Sequence, residues 1–248
     1  SSEGGSGMHL MMQTQTLQTG AEGSVWKCNS QVIEVEKAAI LISDMWDRHW
    51  SAGATARAAI LAQQIDSFVK RCRALGCVII HAPSDTMDFY QDHPARRHAL
   101  EVPPDSGPVE ALPLPPKPID DSDGGSDKSE PPEQVNRQVW TRQNEDIAIC
   151  EGDYIVGDEG ARVAAILDRE QVQHLIYVGV HLNFCILHFS SFSMLPMKTR
   201  GFSVGFVRDL VDSMYNPARP PYVSHETGTQ LVADFIEKFV CPSIEVIR

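Results

Sequence analysis

The stretch His174-Leu-Ile-Tyr-Val-Gly-Val-His-Leu-Asn-Phe-Cys-Ile-Leu187 decides how this 248-residue chain folds. Its apolar first half has the length and β-rich composition of a strand that is buried on both faces. Gly179 then allows the backbone to bend, and Asn183 tolerates unusual dihedrals or caps a helix. We therefore expect Cys185 in the first turn of a helix predicted over Phe184–Leu195.

A cysteine at the start of a helix has two interpretations. Unpaired amides and the positive end of the helix dipole favour a reactive thiolate, and the same amides can stabilise an oxyanion on a substrate. Most free cysteines, by contrast, behave as small buried hydrophobic residues. The stretch alone leaves both interpretations of Cys185 open.

Charge and cysteine usage narrow the class of protein. The net charge of -12 argues against nucleic acid or an anionic membrane surface as the main partner. The six cysteines are scattered, with no C-x-x-C pair and no metal-finger spacing. A reducing, cytoplasmic setting is the expectation, and no stretch is long and apolar enough to cross a membrane.

The domain organisation follows from changes in composition. Residues 1–23 are polar and Gly-rich, so we expect a flexible N-terminal segment. Residues 24–248 are expected to form a single domain that begins with a short hairpin over Ser24–Val35. A Pro- and Asp-rich insertion at about residues 101–137 interrupts it, and this composition predicts a mobile surface segment or flap.

The rest of the chain alternates strands and helices. Ala38–Ser43, an amphipathic helix over Thr55–Leu75 and Cys77–His81 form a βαβ unit, which implies a parallel pair with a right-handed crossover. Further strands are predicted at Asp146–Cys150, Phe202–Val207 and Ile244–Ile247. This alternation predicts the α/β class: a three-layer, Rossmann-like fold whose six-stranded parallel sheet has the order 3-2-1-4-5-6 and helices on both faces.

Asp44 and Cys185 both follow the carboxyl ends of predicted strands. Ligands bind at those ends, at the point where the strand order reverses. If the first and fourth strands are neighbours, Asp44 faces Cys185 across that crevice and can take the thiol proton while the sulfur attacks. Without Cys185, a capping or turn role for Asp44 would be the preferred interpretation.

These motifs resemble the isochorismatase-like cysteine hydrolase superfamily, from about Ala38 to the C-terminus. The resemblance is carried by the strand ending at Asp44-Met, by the Gly179-to-Cys185 turn, and by the strand Phe202–Asp209 followed by Asp212-Ser213. It implies that Asp44 is the acid and base and Cys185 the nucleophile of a hydrolase that cleaves a C-N bond of a small amide through a thioester. It also suggests a cis peptide near Val180-His181.

The sequence departs from the family pattern at one catalytic position. The family has a lysine after the third strand, whereas the aligned residue here is Glu151, which we expect to be a modified third catalytic residue. Positive charge could come instead from a nearby side chain: Arg48, His49, His81, His181, or an inward-folded Lys117 or Lys128 of the insertion. Otherwise a divalent metal sits there, or the amidase chemistry is lost.

Two alternatives to an amidase stay open. The first is a catalytically altered family member that binds a small ligand or a protein partner. The second is an isochorismatase-type vinyl-ether hydrolase, in which the cysteine is dispensable and Asp44 supplies the proton.

Polar and aromatic residues near the predicted strand ends complete the expected site. The substrate-lining residues are expected to be Trp46, His49, His81, His181, Leu182 and Phe184. Asp47, His49 and His81 could together bind a metal ion. The sequence Asp92-His-Pro94 matches a metal-binding motif of the family only in part. Substrate-lining or hydrogen-bonding roles are therefore favoured for these residues. No cofactor is expected to be required, a divalent metal is possible, and the expected partners are a small-molecule substrate and, by analogy, further copies of the chain.

Overall fold

The computed structural model describes residues 8–34, 38–107, 109–127 and 130–247. Its centre is a parallel sheet whose strands are, in chain order, β3 (Ala38–Ser43), β4 (Val78–Ala82), β5 (Tyr154–Ile155), β6 (His174–Val180), β7 (Ser203–Asp212) and β8 (Ser243–Ile247). They lie side by side as β5-β4-β3-β6-β7-β8, which is the predicted 3-2-1-4-5-6 order. All six residues of β3 are buried, because helices cover both faces of the sheet.

Two N-terminal strands extend this sheet. β1 (His9–Gly20) and β2 (Gly23–Glu34) form an antiparallel hairpin, and β1 also pairs antiparallel with β8. The sheet is therefore eight-stranded and mixed, with the order β2-β1-β8-β7-β6-β3-β4-β5, and the prediction of a six-stranded parallel sheet is wrong in this respect.

The same hairpin corrects two further predictions at the N-terminus. Much of the segment expected to be flexible is a strand, since Thr and Gln alternate along β1, which pairs with β2 on one side and β8 on the other. The hairpin predicted over Ser24–Val35 is a single strand as far as Glu34, because the chain reverses at residues 21–22 instead. Residues 1–7 and Val35 lie outside the described residues.

In the described part of the chain, six α-helices accompany the sheet: α1 (Ala52–Ala74), α2 (Met87–Tyr90), α3 (Pro94–Leu100), α4 (Gly160–Arg169), α5 (Met194–Thr199) and α6 (His225–Phe239). The apolar stripe of α1 packs into one core cluster, and apolar residues of α3 to α6 pack into the other. The side-chain hydroxyl of Ser51 caps α1 by accepting a hydrogen bond from the amide of Ala54. Within the described residues, no helix has both the length and the apolar character that crossing a membrane requires.

The third parallel strand lies later in the chain than predicted. Residues 146–150 are not a strand, because their backbone bonds to α1: the amide of Ala148 donates to Asp66 Oδ1 (2.9 Å), and its carbonyl accepts from Arg73 (3.2 Å). The strand is Tyr154–Ile155, so Glu151 precedes it instead of following it.

The helix predicted over Phe184–Leu195 is also interrupted. A five-residue π-helix covers Cys185–Phe189, and α5 begins only at Met194. Between them, Ser191 and Phe192 bond to other parts of the chain: the Ser191 hydroxyl accepts from the amide of Gly160 (2.7 Å), and the Phe192 carbonyl accepts from the Tyr177 hydroxyl (2.5 Å). These tertiary bonds replace the bonds of a continuous helix.

The insertion has little regular structure but is packed against the rest of the protein. A single 3-10 turn, Pro132–Gln134, is its only regular element among the residues described. Ile119 is buried, the amide of Asp120 donates to the carbonyl of Pro220 (2.9 Å), and Asn216 donates to Asp123 (3.0 Å). The expectation of a free flap is therefore corrected for these residues, whose many acidic groups find donors on neighbouring loops.

Candidate functional site

The two strands that carry the candidate residues are direct neighbours. In the parallel pair β3 and β6, Ser43 lies opposite Gly179, so Asp44 and the turn after β6 emerge at the same edge of the sheet. Gly179 has a φ of 103°, and a Cβ atom there would come within 2.4 Å of the Ser43 carbonyl oxygen. Only glycine allows the two backbones to approach this closely.

Asp44 is buried and held in an unusual backbone conformation. Its φ is 46°, a region that non-glycine residues rarely adopt and that often marks functional sites. Oδ1 accepts a hydrogen bond from the amide of Ser84 (2.9 Å), whereas Oδ2 is buried and has no well-formed hydrogen bond to the described residues. Burial raises the pKa of this carboxyl to about 7. Hydrogen bonding to Ser84 and Cys185 lowers the pKa and only partly opposes that rise.

Cys185 lies beside Asp44 and is half-buried. Burial raises the pKa of its thiol well above the ordinary value, and the neighbouring Asp44 carboxylate raises it further. The Ser190 hydroxyl and the backbone amide of His181 act in the opposite direction. The predicted helix dipole contributes little, since the π-helix has only five residues, so the free protein holds a neutral thiol rather than a thiolate.

Residues 181–185, which we call the nucleophile turn, connect β6 to Cys185. The peptide bond between Val180 and His181 is cis, as the family resemblance suggests. The amide of Leu182 donates to the carbonyl of Asp212 (2.8 Å), and the carbonyl of His181 accepts from the amide of Phe184 (3.0 Å). The turn is therefore hydrogen-bonded both to itself and to β7.

The third catalytic position differs from its prediction. Glu151 is exposed in the turn before β5, and the structure does not bring it to Asp44. The residues that follow β5 include Asp158, whose negative charge adds to the raised pKa of Asp44, and Glu159. The segment after β5, the third parallel strand, thus carries carboxylates. No lysine occurs in the sequence between Lys128 and Lys198.

Aromatic and imidazole rings form a continuous wall next to Asp44. Trp46 stacks on Trp140 with ring centroids 3.8 Å apart and donates from Nε1 to the carbonyl of Ser84 (3.0 Å). His49 packs edge-on against His181, with centroids 5.2 Å apart. Burial lowers the pKa of His49 to about 4 and that of His181 well below its usual value, so both rings are neutral at pH 7.

The other three residues predicted to line the substrate have different surroundings. His81 is fully buried, and its two ring nitrogens are hydrogen-bonded to Asp153 (2.8 Å) and Gln143 (3.0 Å). Leu182 is buried in the hydrophobic core. Phe184 is half-buried, with the Lys117 ammonium 4.6 Å from the centre of its ring. The structure therefore offers neither His81 nor Leu182 to a ligand.

The residues considered as metal ligands do not fit a metal ion. Asp47 accepts hydrogen bonds from the amide (3.0 Å) and hydroxyl (2.7 Å) of Thr141, His49 Nδ1 accepts from the amide of Ser51 (3.0 Å), and His81 is saturated. His93 Nδ1 caps α3 by accepting from the amide of Ala95 (3.0 Å). In the described part of the chain, no three His, Cys, Asp or Glu side chains are grouped as a metal site requires.

Two contributors to the site are not predicted from the sequence, and a third, Lys117, is predicted only as one possible source of charge. Ser84 orients Asp44, Trp140 covers Trp46, and the insertion residue Lys117 approaches the nucleophile turn. Ser84 and Trp140 stand in irregular segments, which give no periodic signal. Lys117 lies in a Pro- and Asp-rich segment that gives no signal for its contacts, and Lys128 lies outside the described residues.

Comparisons with known proteins agree with this architecture. No protein-family model and no curated protein matches the sequence. The structure is similar to that of a cysteine hydrolase from Pseudomonas syringae pv. phaseolicola 1448A, with 14% identity, a TM-score of 0.52, and coverage of 84% of this chain and 89% of that one. Others include an isochorismatase from Pseudomonas putida KT2440 (13% identity, TM-score 0.46, coverage 84% and 88%) and a pyrazinamidase from Pyrococcus horikoshii in complex with zinc (16%, 0.43, coverage 80% and 96%).

The sheet and the first of these similarities define the class of structure. The chain has the fold of that cysteine hydrolase over most of its length. Its motifs resemble the isochorismatase-like superfamily.

Proposed function

We propose that this protein is a cysteine hydrolase that cleaves a C-N bond of a small amide through a thioester intermediate. The observation that carries the proposal is the pairing of the Asp44 carboxyl with the Cys185 thiol at the ends of β3 and β6. A carboxyl whose pKa is raised to about 7 can both accept and return a proton near neutral pH, which is the property that general acid-base catalysis needs.

The first half-reaction begins from the neutral thiol. Asp44 takes the proton from Cys185 Sγ as the sulfur attacks the amide carbon, which forms the C-S bond and a tetrahedral oxyanion. The C-N bond then breaks, the proton held by Asp44 passes to the departing nitrogen, and ammonia or an amine leaves. Cys185 remains as a thioester of the acyl group.

The second half-reaction uses the same carboxylate. Asp44 takes a proton from a water molecule, the water oxygen attacks the thioester carbon, and the C-S bond breaks. The proton returns to the departing sulfur, so the products are a carboxylic acid and the original thiol. One acid-base residue serves both steps, and no third catalytic residue is needed to balance the protons.

The nucleophile turn supplies donors for the oxyanion. The backbone amide of His181 already faces the Cys185 sulfur and lowers the pKa of the thiol. Amide groups in a water-poor site are effective partners for charge that develops during reaction. The wall formed by Trp46, Trp140, His49 and His181 would bind a planar or small amide by stacking, with neutral imidazoles available for hydrogen bonds.

A second candidate function is a ligand-binding protein without turnover. It is favoured by the raised pKa of the Cys185 thiol and by the carboxylates after β5 where a lysine would help to hold a thiolate. Assembly into a homo-oligomer remains a prediction for either function.

Release of ammonia from a panel of small primary amides tests the proposal. We expect turnover by the wild-type protein, none by Cys185→Ala or Cys185→Ser, and unchanged turnover by Cys150→Ala, which removes an exposed thiol. Normal turnover by Cys185→Ala would exclude the thioester route. Micromolar binding of an amide with no turnover by the wild-type protein would favour the ligand-binding function.

A further inference from the structure

The Asn183 side chain ties the nucleophile turn to two other parts of the chain. Its Nδ2 donates to Asp121 Oδ2 and to the carbonyl of Met214, and its Oδ1 accepts from the amide of Met214, each at 2.9 Å. Asn183 is fully buried, so these bonds are made away from competing water. The turn that delivers Cys185 is therefore fixed by side-chain bonds as well as by its own backbone.

Lys117 of the insertion contacts the same turn from the side of Asp121. Its ammonium pairs with Asp121 Oδ2, donates to the carbonyl of Asn183 (3.3 Å), and lies 4.6 Å from the centre of the Phe184 ring. Lys117 and Asp121 are largely buried, with side-chain exposures of 18% and 12%. A partly desolvated ion pair of this kind holds its partners more firmly than an exposed one.

The segment that carries this pair is itself anchored. We call residues 117–123 the brace. Its Asp120 accepts a hydrogen bond from Arg219 (2.9 Å) and donates from its amide to Pro220, while Asp123 accepts from Asn216. The brace is thus attached to the loop after β7, and this loop also supplies Met214 to Asn183.

We propose that Lys117 and Asp121 are positioning residues for the Cys185 nucleophile, so that the insertion is a working part of the active site. The inference rests on the proposed function, because it assigns the brace to that same thiol. Lys117 and Asp121 do not touch the reacting atoms. They hold Asn183 and Phe184, the two residues before Cys185, and thereby hold the sulfur against Asp44.

Loss of the brace should reduce turnover more than substrate binding. In Lys117→Met and Asp121→Ala, we expect kcat to fall by about tenfold with KM unchanged, because a misplaced nucleophile slows the chemical step. Lys117→Arg keeps both the charge and the donors, so it should restore most of the rate. The substrate is the amide with the highest turnover in the panel above.

Lys198→Met is the matched control. Lys198 also donates to a backbone carbonyl, that of Val240 (2.6 Å), but it lies near the first residues of β6 and β7, away from the strand ends that carry Asp44 and Cys185. Its loss should leave kcat unchanged. Wild-type kcat in Lys117→Met, or a Lys117→Arg variant as slow as Lys117→Met, would overturn the proposal.

Hydrogen exchange gives a second measurement that needs no substrate. Peptides covering residues 181–189 should exchange faster in Lys117→Met and Asp121→Ala than in the wild type, while peptides of β3 and α1 stay protected. Unchanged exchange of the turn would overturn the inference even if the protein proved not to be a hydrolase. Faster exchange without any amide turnover would support the role of Lys117 and Asp121 in holding the turn and would refute only the proposed function.

Discussion

Gly179 on β6 lies so close to Ser43 on β3 that a Cβ atom would come within 2.4 Å of the Ser43 carbonyl oxygen. This approach sets the distance between the two strand ends that carry Asp44 and the nucleophile turn. The candidate site therefore depends on a backbone contact as much as on its functional side chains.

Gly179→Ala should disrupt both stability and activity. The added methyl group meets backbone atoms that cannot move aside, and the φ of 103° is unfavourable for alanine. We expect a loss of roughly 2–5 kcal/mol in the free energy of unfolding, measured by urea denaturation. Gly201→Ala is the control, since Gly201 has a similar φ of 97° with nothing within 4 Å of its Cβ position. Equal losses in the two variants would show that the close approach is unimportant.

The raised pKa of Asp44 predicts a dependence of stability on pH. Burial raises this pKa from 3.8 to about 7, so the native state binds the proton more tightly than the unfolded state does. The resulting stabilisation is complete below about pH 4 and is lost as the pH rises through about 7, with a total on the order of 4 kcal/mol.

Asp44→Asn should remove this dependence. The amide is neutral at every pH, so the variant should be more stable than the wild type above pH 7, as measured by urea unfolding across the pH range. Asn in place of the exposed Asp85 is the control and should leave the profile unchanged. A wild-type pH profile in Asp44→Asn would show that Asp44 is not the group responsible.

The same carboxyl should control the pH dependence of the reaction. Asp44 can accept the thiol proton only when it is ionised, so kcat/KM should rise with pH through a value near 7. A rate that does not vary between about pH 5 and pH 8 would contradict the role of Asp44 as base.

Cys185 should be slow to alkylate in the free protein. Burial and the Asp44 carboxylate raise the pKa of its thiol, so little thiolate is present at neutral pH. We expect iodoacetamide to modify the exposed Cys28 and Cys150 first, with peptide mass spectrometry as the readout. Preferential modification of Cys185 at pH 7 would instead indicate a preformed thiolate and a missing source of positive charge.

His81 should be important for stability rather than for ligand binding. It is fully buried between Asp153 and Gln143, and Asp153 also forms a bidentate ion pair with Arg73. His81→Ala leaves these partners unsatisfied, so we expect a loss of about 2–4 kcal/mol in unfolding free energy. An unchanged free energy of unfolding together with a raised KM would restore the substrate-binding role.

The core of the fold could be predicted because its signals are local. The β3, α1, β4 and β6 regions combine long apolar runs or stripes with clear ends, and the βαβ rule then orders the strands. β5 could not be located, since two residues are too few for a periodic signal and the preceding segment bonds to α1 side chains. β1 could not be predicted because a polar strand resembles a linker in composition.

Some parts of the candidate site could likewise be predicted from the sequence, and others could not. Asp44 and the nucleophile turn follow apolar strands, so their position could be predicted. The environment of Cys185 could not, because its raised pKa arises from burial and from a carboxylate distant in the sequence. Lys117 and Asp121 stand in a segment whose prolines and acids predict mobility, and only the folded chain shows their contacts with Asn183.

In the proposed reaction, Cys185 becomes covalently acylated while Asp44 accepts and returns the thiol proton. Intact mass spectrometry after acid quenching of the wild-type protein with its best amide tests this most directly. We expect a mass increase equal to the acyl group, located on Cys185 and absent from Cys185→Ala. Steady turnover of that amide by Cys185→Ala, with no acylated species at any time in the wild type, would contradict it.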